Sequence, residues 1–306
     1  MPRKEEFQVE QLIQKIQELG VDWEQNCPLS RHSSFRIGGA ADVALFPQSS
    51  EALCKTLTIL REQEIPVLVI GNGSNVVFSD AGYRGAVVFT GKCRKIKIEN
   101  DTVYADAGVL LSTLSSAVRD ESLSGLEFVF GIPGTLGGAI YMNAGAYGGS
   151  MSDVCIGSWY YDLETGHFGE AFGDAQCFDY RKSVYQNHPE RIILSASLKL
   201  KKGNRKEITE TMRTYWDKRR ASQPLDLPNA GSTFKRPEGH FAGKLIEDCG
   251  LKGLTVGGAQ VSTKHAGFIV NVGGATCEDV KRLIEQIQVT VLQQTGVALE
   301  CEIKFL

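Results

Sequence analysis

Two glycine-rich loops constrain the fold of this chain more than any other sequence feature. The first, Gly71-Asn72-Gly73-Ser74-Asn75, directly follows the apolar run Pro66 to Ile70, which predicts a buried strand. Such a turn can present several backbone N–H groups to a phosphate. It begins like the dinucleotide fingerprint G-x-G-x-x-G, but Val76 stands at the third glycine position and no helix obviously follows. A Rossmann domain is therefore disfavoured.

The second loop, Gly131 to Ala139, contains the segment G-I-P-G-T-L-G-G and leads into N-A-G-A-Y-G-G at residues 143–149. Small residues let the backbone approach a large flat ligand closely, because a Cβ at those positions would collide with it. Tight turns between short strands would explain either loop alone. The presence of both loops favours a shared ligand.

The hydrophobic pattern predicts a mixed α and β protein. Residues 42–47 and 66–70 have the composition of strands, and between them Ser49 precedes a helix with Ala52, Leu53, Leu57 and Leu60 on one face. From residue 86 to about 200 the pattern changes to short strands, with one small helix near residues 110–120.

The charged segment 201–206 predicts a turn and a domain boundary, followed by a helix. Near the end, Thr276 and Asp279 form the pattern of a capping box, and Gly296 marks the end of the helix that the box begins. Residues 297–306 then predict a terminal strand.

Charge and hydropathy exclude several functional classes. The formal net charge is -3, with no basic patch for a nucleic-acid backbone. No stretch of about 18 uncharged apolar residues predicts a membrane span, and no apolar block suited to export is present, so we expect a cytoplasmic protein. The eight cysteines lie far apart without a C-x-x-C pair, which indicates free thiols rather than a metal or redox site.

Two common catalytic motifs are missing. The segment 239–244 resembles a Walker A loop but has one residue too few between its glycines and ends in Leu245 instead of Ser or Thr. No G-x-S-x-G nucleophile elbow occurs in the chain. The usual sequence signatures of ATP hydrolysis and of esterase chemistry are therefore lacking.

Many short motifs, spaced along nearly the whole chain and in the same order, resemble the UDP-N-acetylenolpyruvoylglucosamine reductases of the shorter branch. The residues that carry the resemblance are Ser34 to Gly39, Gly71 to Asn75, Gly131 to Gly138, Asn143 to Ala146, Tyr180 to Ser183, Asn229 to Lys235, Ala242 to Ile246, Gly250 to Gly253, Lys264 to Asn271 and Leu299 to Glu302. Two departures concern the terminal strand: Cys301 stands where a proline is common, and the chain ends at Leu306, sooner than most relatives.

The resemblance implies an α+β fold with a two-part FAD-binding domain of the vanillyl-alcohol-oxidase/PCMH type and a C-terminal α+β substrate domain. We expect the FAD-binding subdomains at 1–91 and 92–206 and the substrate domain at 207–306. The implied activity is NADPH-dependent reduction of the enolpyruvyl ether of UDP-N-acetylglucosamine enolpyruvate to UDP-N-acetylmuramate, in peptidoglycan precursor synthesis. We expect non-covalent FAD, a nucleotide-sugar substrate, no metal and a monomer.

The resemblance also implies site residues. Arg181, Ser232 and Glu302 would be catalytic. Tyr180, Gln223, Lys235 and Arg236 would bind the substrate. The FAD-binding positions would be Arg36, Gly71, Asn72, Gly73, Ser74, Asn75, Gly131, Pro133, Gly134, Thr135, Gly138, Asn143, Ala144 and Gly145.

The implied chemistry gives the three catalytic residues distinct tasks. Hydride addition to the methylene carbon of the enolpyruvyl group leaves negative charge on the neighbouring carbon, which spreads into the carboxylate. Arg181 can grip that carboxylate through two N–H groups, and Glu302 can support it as a neutral acid if burial raises its pKa. Ser232 would donate the proton, activated by a neighbour such as Lys235 or by a bound water.

Two other functions remain open at this point. An oxidase of the same flavin-binding fold would keep the glycine loops but has no need for Arg181, Ser232 and Glu302 together. A flavoprotein that has lost catalysis and serves as a binding module would have no reason to retain all three.

Overall fold

A computed structural model describes residues 4–306 of the chain, with side chains from Gln11 onward. The described residues form seven α-helices: α1 (Lys4–Glu18), α2 (Ser50–Glu62), α3 (Leu111–Asp120), α4 (Leu136–Tyr141), α5 (Arg205–Ser222), α6 (Ala242–Asp248) and α7 (Cys277–Thr295). None of these helices combines the length and the apolar character needed to cross a membrane.

The same residues form nineteen strands, most of them short. They are β1 (Asp22–Pro28), β2 (Ala40–Phe46), β3 (Val67–Ile70), β4 (Val76–Val77), β5 (Tyr83–Phe89), β6 (Ile96–Glu99), β7 (Thr102–Asp106), β8 (Leu123–Ser124), β9 (Gly145–Ala146), β10 (Gly149–Ser150), β11 (Cys155–Asp162), β12 (Phe168–Phe172), β13 (Arg191–Lys199), β14 (Lys201–Lys202), β15 (Asn229–Ser232), β16 (Thr255–Val256), β17 (Ala259–Val261), β18 (Phe268–Asn271) and β19 (Lys304–Phe305).

The chain divides into two compact units. Unit 1 contains the described residues up to Asn26, together with Asp42–Asn72 and Arg84–Asp217. Unit 2 contains Cys27–Ala41, Gly73–Tyr83 and Lys218–Leu306.

Unit 1 is built on two sheets with separate cores. Strands β1-β2-β5-β3 form one sheet, in which β3 and β5 pair in parallel, and α2 packs its buried leucines into the adjoining core. Ser49 begins α2 because its side chain accepts a hydrogen bond from the Ala52 N–H at 3.1 Å. Strands β12-β11-β13-β7-β6 form an antiparallel sheet, and its core includes residues of α3 and α4.

Unit 2 is a four-stranded antiparallel sheet, β15-β18-β17-β16, with α6 and α7 contributing to its core. Helix α7 begins at a capping box: the Thr276 hydroxyl accepts from the Asp279 N–H, and the Asp279 carboxylate accepts from the Thr276 N–H. Gly296 ends the helix with a left-handed φ of 74°. The terminal strand β19 pairs in parallel with β4.

The structure confirms the predicted strand, helix and strand at β2, α2 and β3, and also α3, α5 and α7. The cysteines are free as expected, with four buried and Cys177 exposed. Two segment predictions are wrong. Residues 201–202 form a strand that pairs with β8 instead of a turn. The predicted terminal strand is reduced to Lys304–Phe305, with one isolated bridge between Cys301 and Phe234.

The capping box of α7 generates a pH prediction. Hydrogen bonds from Thr276 and Gly258 and from Arg282 hold the pKa of the Asp279 carboxyl below its usual range. A lowered folded-state pKa contributes stability above the unfolded-state pKa, and that stability is lost as pH falls through the folded-state value. We expect Asp279→Asn to lower the free energy of unfolding by about 1 kcal/mol at pH 7.

The deficit should shrink as pH falls below about 4, because the unfolded wild-type chain then binds a proton that the folded carboxyl, with its lowered pKa, still lacks. Urea unfolding at a series of pH values measures this. Glu278→Gln, which alters an exposed carboxylate in the same helical turn, serves as the control and should show little change. A deficit for Asp279→Asn that did not depend on pH would contradict the assignment.

Candidate active site

The two glycine-rich loops meet within unit 1. A Cβ placed on Gly71 would lie 2.3 Å from the Thr135 Oγ1, which no side chain can tolerate. The Asn72 side-chain amide donates to the Pro133 carbonyl at 2.6 Å. The end of β3 is therefore fixed against the loop that precedes α4.

The glycines of the second loop serve different purposes. A Cβ on Gly137 would lie 2.8 Å from the Ala107 Cβ, so close packing inside the protein requires this glycine. Gly138 is exposed, and its nearest contact for a Cβ, the Thr135 Oγ1, is at an ordinary 3.6 Å. Thr135 is buried and N-caps α4, accepting from the Gly138 N–H at 3.4 Å. The structure thus places bare, accessible backbone at Gly138.

This surface fits the FAD expected from the resemblance. Pro133 and Gly138 are exposed and Gly134 is half-buried, while the Gly134 carbonyl is anchored by the Leu111 N–H at 3.0 Å. Gly131 adopts a left-handed φ of 85°, which turns the chain into the loop. A rigid surface with few side chains is what close approach of a flat ring system requires.

The rest of the first loop belongs to unit 2. A Cβ on Gly73 would lie 2.1 Å from the His32 carbonyl oxygen, and the Ser34 N–H donates to the Gly73 carbonyl at 3.1 Å. Arg36 is exposed and has a left-handed φ of 57°. Ser74 and Asn75 are half-buried, and the Asn75 side chain donates to the Glu302 carbonyl at 3.4 Å.

Asn143 is buried, and its side chain bonds with other residues of unit 1. Its amide nitrogen donates to the Asp179 carbonyl at 2.9 Å, and its amide oxygen accepts from the Ser152 N–H at 2.9 Å. The Ala144 backbone N–H donates to the Ala139 carbonyl, and the Ala144 carbonyl accepts from the Met151 N–H. The predicted cofactor role of Asn143 stays a prediction. The structure shows in addition that the Asn143 side chain hydrogen-bonds to the turn that contains Arg181.

Arg181 lies in that turn, in unit 1. Asp179 and Lys182 exchange two backbone hydrogen bonds of 3.1 Å, and Arg181 between them has a left-handed φ of 54°. Both terminal guanidinium nitrogens lie 3.4 Å from the Gly145 carbonyl oxygen. The guanidinium carbon is 5.4 Å from the ring centre of Tyr180, which is 53% exposed. The guanidinium thus lies beside the predicted FAD-binding segment 143–145.

Ser232 and Glu302 both lie in unit 2. Ser232 is exposed at the end of β15, directly after Gly231, whose φ is 80°. The Glu302 N–H donates to the Thr233 carbonyl at 2.8 Å, so the backbones that carry the two residues are paired. Burial raises the pKa of the adjacent Cys301 thiol to about 11, so this thiol stays protonated at neutral pH.

The two predicted substrate cations have partners within unit 2. The Lys235 ammonium forms an ion pair with the Glu300 carboxylate, and the Lys235 backbone N–H donates to the Glu300 carbonyl. The Arg236 guanidinium stacks over the Phe241 ring at 4.0 Å from the ring centre. Stacking holds Arg236 in place and leaves its charge exposed.

Gln223 follows α5, and Arg219 holds its side chain. The Arg219 guanidinium donates to the Gln223 amide oxygen at 3.2 Å and is largely buried. The Lys264 ammonium donates to the Arg220 carbonyl at 2.7 Å, which joins the 264–267 segment to the end of the same helix.

Within unit 1 the structure brings Tyr180, Arg181, Asn143 and Gly145 together. Within unit 2 it pairs the backbones that carry Ser232 and Glu302. Sequence reasoning missed two residues. Arg219 hydrogen-bonds to the Gln223 side chain, and Gln186 hydrogen-bonds to the Arg181 carbonyl. The four-residue spacing of Arg219 and Gln223 was a usable signal, whereas the contact between Gln186 and Arg181 had none.

Comparison with known proteins identifies relatives that match most of this chain. A family model described as the C-terminal domain of UDP-N-acetylenolpyruvoylglucosamine reductase matches residues 223–306, and one described as an FAD binding domain matches residues 41–168. The UDP-N-acetylenolpyruvoylglucosamine reductase of Caldanaerobacter subterraneus subsp. tengcongensis is 47% identical over 91% of this chain and 92% of its own length. The Clostridioides difficile reductase is 46% identical over 91% of each chain.

Among solved structures, the crystal structure of the Thermus caldophilus UDP-N-acetylenolpyruvylglucosamine reductase aligns with a TM-score of 0.77 at 33% identity. The alignment covers 93% of this chain and 98% of that one. The predictions of the fold class and of FAD as cofactor are confirmed. The predicted domain boundaries and individual site residues stay predictions.

The contrast between Gly137 and Gly138 generates a paired prediction. Gly138→Ala adds a methyl group that the protein itself can accommodate, so the apoprotein should keep its free energy of unfolding or gain about 0.5–1 kcal/mol from helix propensity. The same methyl would intrude on bound FAD and should raise its Kd about tenfold. Gly137→Ala, the matched control, should destabilise the apoprotein through the clash with Ala107.

Urea unfolding of the apoprotein and fluorescence titration with FAD measure the two effects separately. An unchanged FAD affinity in Gly138→Ala would show that the cofactor does not approach this stretch of backbone.

Proposed function

The chain belongs to the UDP-N-acetylenolpyruvoylglucosamine reductase family, and on that premise we propose that it reduces the enolpyruvyl ether of UDP-N-acetylglucosamine enolpyruvate with NADPH. The product is UDP-N-acetylmuramate, a peptidoglycan precursor. The observation that carries the proposal is the presence of Arg181, Ser232 and Glu302 in one chain with both glycine loops. Bound FAD would take a hydride from NADPH and deliver it to the methylene carbon of the substrate.

Arg181 binds the carboxylate of the enolpyruvyl group. A guanidinium stays charged at any physiological pH and can donate two parallel N–H bonds to one carboxylate. The charge that develops beside the carboxylate during hydride addition strengthens this interaction in the transition state. The Gly145 carbonyl and the Tyr180 ring hold the guanidinium in place before the substrate arrives.

Ser232 donates a proton to the carbon next to the carboxylate. Its exposure at the end of β15 supports this role, because a donor must reach the substrate. Glu302 supports Arg181 at the substrate carboxylate. Lys235, which forms an ion pair with Glu300, contributes positive charge near the same strand end but is a weaker candidate for activating Ser232 directly.

Gln223, Lys235, Arg236 and Tyr180 anchor the nucleotide part of the substrate. A diphosphate needs positive charge and N–H donors, which Lys235, Arg236 and the Gln223 amide supply. The protein acts as a cytoplasmic monomer, with FAD-binding subdomains at 1–91 and 92–206 and a substrate domain at 207–306.

Steady-state NADPH oxidation tests the activity. The purified FAD-loaded protein should sustain NADPH oxidation beyond one equivalent per bound FAD only when the enolpyruvyl UDP-sugar is present, and mass spectrometry should show a product that has gained two hydrogen atoms. UDP-N-acetylglucosamine, which lacks the enolpyruvyl group, is the control ligand. NADPH oxidation at the same rate with either sugar would refute the proposal, and oxygen consumption with a small alcohol would favour an oxidase.

Removing the Ser232 hydroxyl should separate the two half-reactions. Flavin reduction by NADPH needs no proton at the enolpyruvyl carbon, so Ser232→Ala should be reduced at close to the wild-type rate. Reoxidation by the UDP-sugar should slow by about 10²- to 10⁴-fold, the usual contribution of a positioned general acid. Ser232→Cys should recover part of the rate because a thiol can still donate a proton.

Anaerobic stopped-flow absorbance follows each half-reaction. Thr290→Ala removes another hydroxyl from unit 2, one that bonds only locally to the Gln286 carbonyl, and should leave both rates unchanged. Wild-type reoxidation in Ser232→Ala would exclude Ser232 as the donor.

A further inference from the structure

We propose that Gln186 is a positioning residue for Arg181. Its side-chain amide fixes the main chain of the Arg181 turn, so that the guanidinium is oriented for a carboxylate before one binds. The inference rests on the proposed function, because it assigns Gln186 a part in recognising the enolpyruvyl carboxylate.

The turn that contains Arg181 needs external support. A left-handed φ of 54° is unfavourable for any residue with a Cβ. The two backbone bonds between Asp179 and Lys182 close the turn but do not determine its orientation relative to the rest of unit 1. Strain of this kind persists only where surrounding contacts hold the chain in place, and such positions concentrate at binding and catalytic sites.

Gln186 supplies that support from the end of a short 3₁₀ turn, Val184–Gln186. Its amide nitrogen donates to the Arg181 carbonyl at 2.8 Å and to the Tyr141 carbonyl at 3.1 Å. A primary amide has two N–H donors, so these two bonds can use both, and the same nitrogen also lies 3.7 Å from the Met142 Sδ. One side chain therefore ties the backbone of Arg181 directly to the end of helix α4.

Two further bonds join the same turn to the loop after α4. The Asn143 amide donates to the Asp179 carbonyl, and the Arg181 guanidinium donates to the Gly145 carbonyl. Gln186 and Asn143 thus hold the main chain on the two sides of the turn, while Gly145 limits the position of the guanidinium. Without Gln186, the Arg181 carbonyl loses its 2.8 Å hydrogen bond from the side-chain amide, and the strained φ is free to relax.

A matched control exists in the same unit. Gln176 also ends a 3₁₀ turn, Gly173–Gln176, and its amide nitrogen donates to the Cys155 carbonyl at 3.1 Å. It is buried, and its amide oxygen accepts from the Ser158 hydroxyl. Replacing Gln176 removes an internal amide of the same kind without removing a bond to the Arg181 turn.

The test compares two ligands, of which only one has the enolpyruvyl group and its carboxylate. The Kd values of the enolpyruvyl UDP-sugar and of UDP-N-acetylglucosamine are measured by calorimetry on FAD-loaded protein, for Gln186→Met, Arg181→Met, the double variant and Gln176→Met. We expect Gln186→Met to raise the Kd of the enolpyruvyl ligand about tenfold while leaving that of UDP-N-acetylglucosamine nearly unchanged. Gln176→Met should keep the wild-type ratio of the two Kd values, even where its Tm falls.

The double variant should bind no more weakly than Arg181→Met alone, because Gln186 acts through Arg181. If Gln186→Met does not fold, Gln186→Glu keeps the shape but cannot donate when ionised, and it should show the same selective loss. Equal weakening toward both ligands, or additive effects in the double variant, would overturn the inference. If Arg181→Met itself bound both ligands like the wild type, the proposed binding of the carboxylate by Arg181 would be refuted. The proposed role of Gln186, which depends on it, would then be refuted as well.

Discussion

The contact between Gly71 and Thr135 is the constraint on which the predicted cofactor surface of unit 1 depends. It brings the end of strand β3 against the cap of helix α4 at a separation that only glycine permits. The bond from Asn72 to the Pro133 carbonyl fixes the same junction from the other side. Because Thr135 also caps α4, a shift at Gly71 would disturb the start of the helix and with it the exposed backbone at Gly138. The start of the first loop and the second loop therefore form a single structural element within unit 1.

A second constraint is the strained turn at Arg181. Non-glycine residues with left-handed φ occur at both Asn143 and Arg181, and side-chain amides hold each of the two segments. These hydrogen bonds from side-chain amides offset the conformational cost of the left-handed φ values and at the same time orient the guanidinium. In unit 2 the comparable feature is the pairing of the Thr233 and Glu302 backbones, which couples the position of Ser232 to that of Glu302.

Local rules predicted much of the secondary structure. Ser49 and Thr276 marked the starts of α2 and α7, and Gly296 marked the end of α7, because caps depend only on neighbouring residues. The terminal strand predicted at residues 297–306 was overestimated because local sequence does not show whether a partner strand is present. The glycines of the second loop were interpreted as space for a ligand, whereas at Gly137 the structure shows that the space is occupied by Ala107.

The residues of the candidate site were harder to predict from local sequence patterns. An arginine after a tyrosine and a serine after a glycine have no local signature of catalysis, so the roles of Arg181 and Ser232 came from the family resemblance alone. The contact of Gln186 with Tyr141 joins residues 45 positions apart, and that of Asn143 with Asp179 joins residues 36 apart. Contacts of this kind depend on the complete fold, and no periodicity or spacing in the sequence predicts them.

The most direct test of the account is an anaerobic titration of the purified protein, followed by flavin absorbance. The account predicts an oxidised flavin spectrum that NADPH bleaches, and that the enolpyruvyl UDP-sugar then restores in stoichiometric amount. UDP-N-acetylglucosamine should leave the bleached spectrum unchanged. A protein that bound no flavin, or a reduced flavin that the enolpyruvyl sugar could not reoxidise, would contradict it.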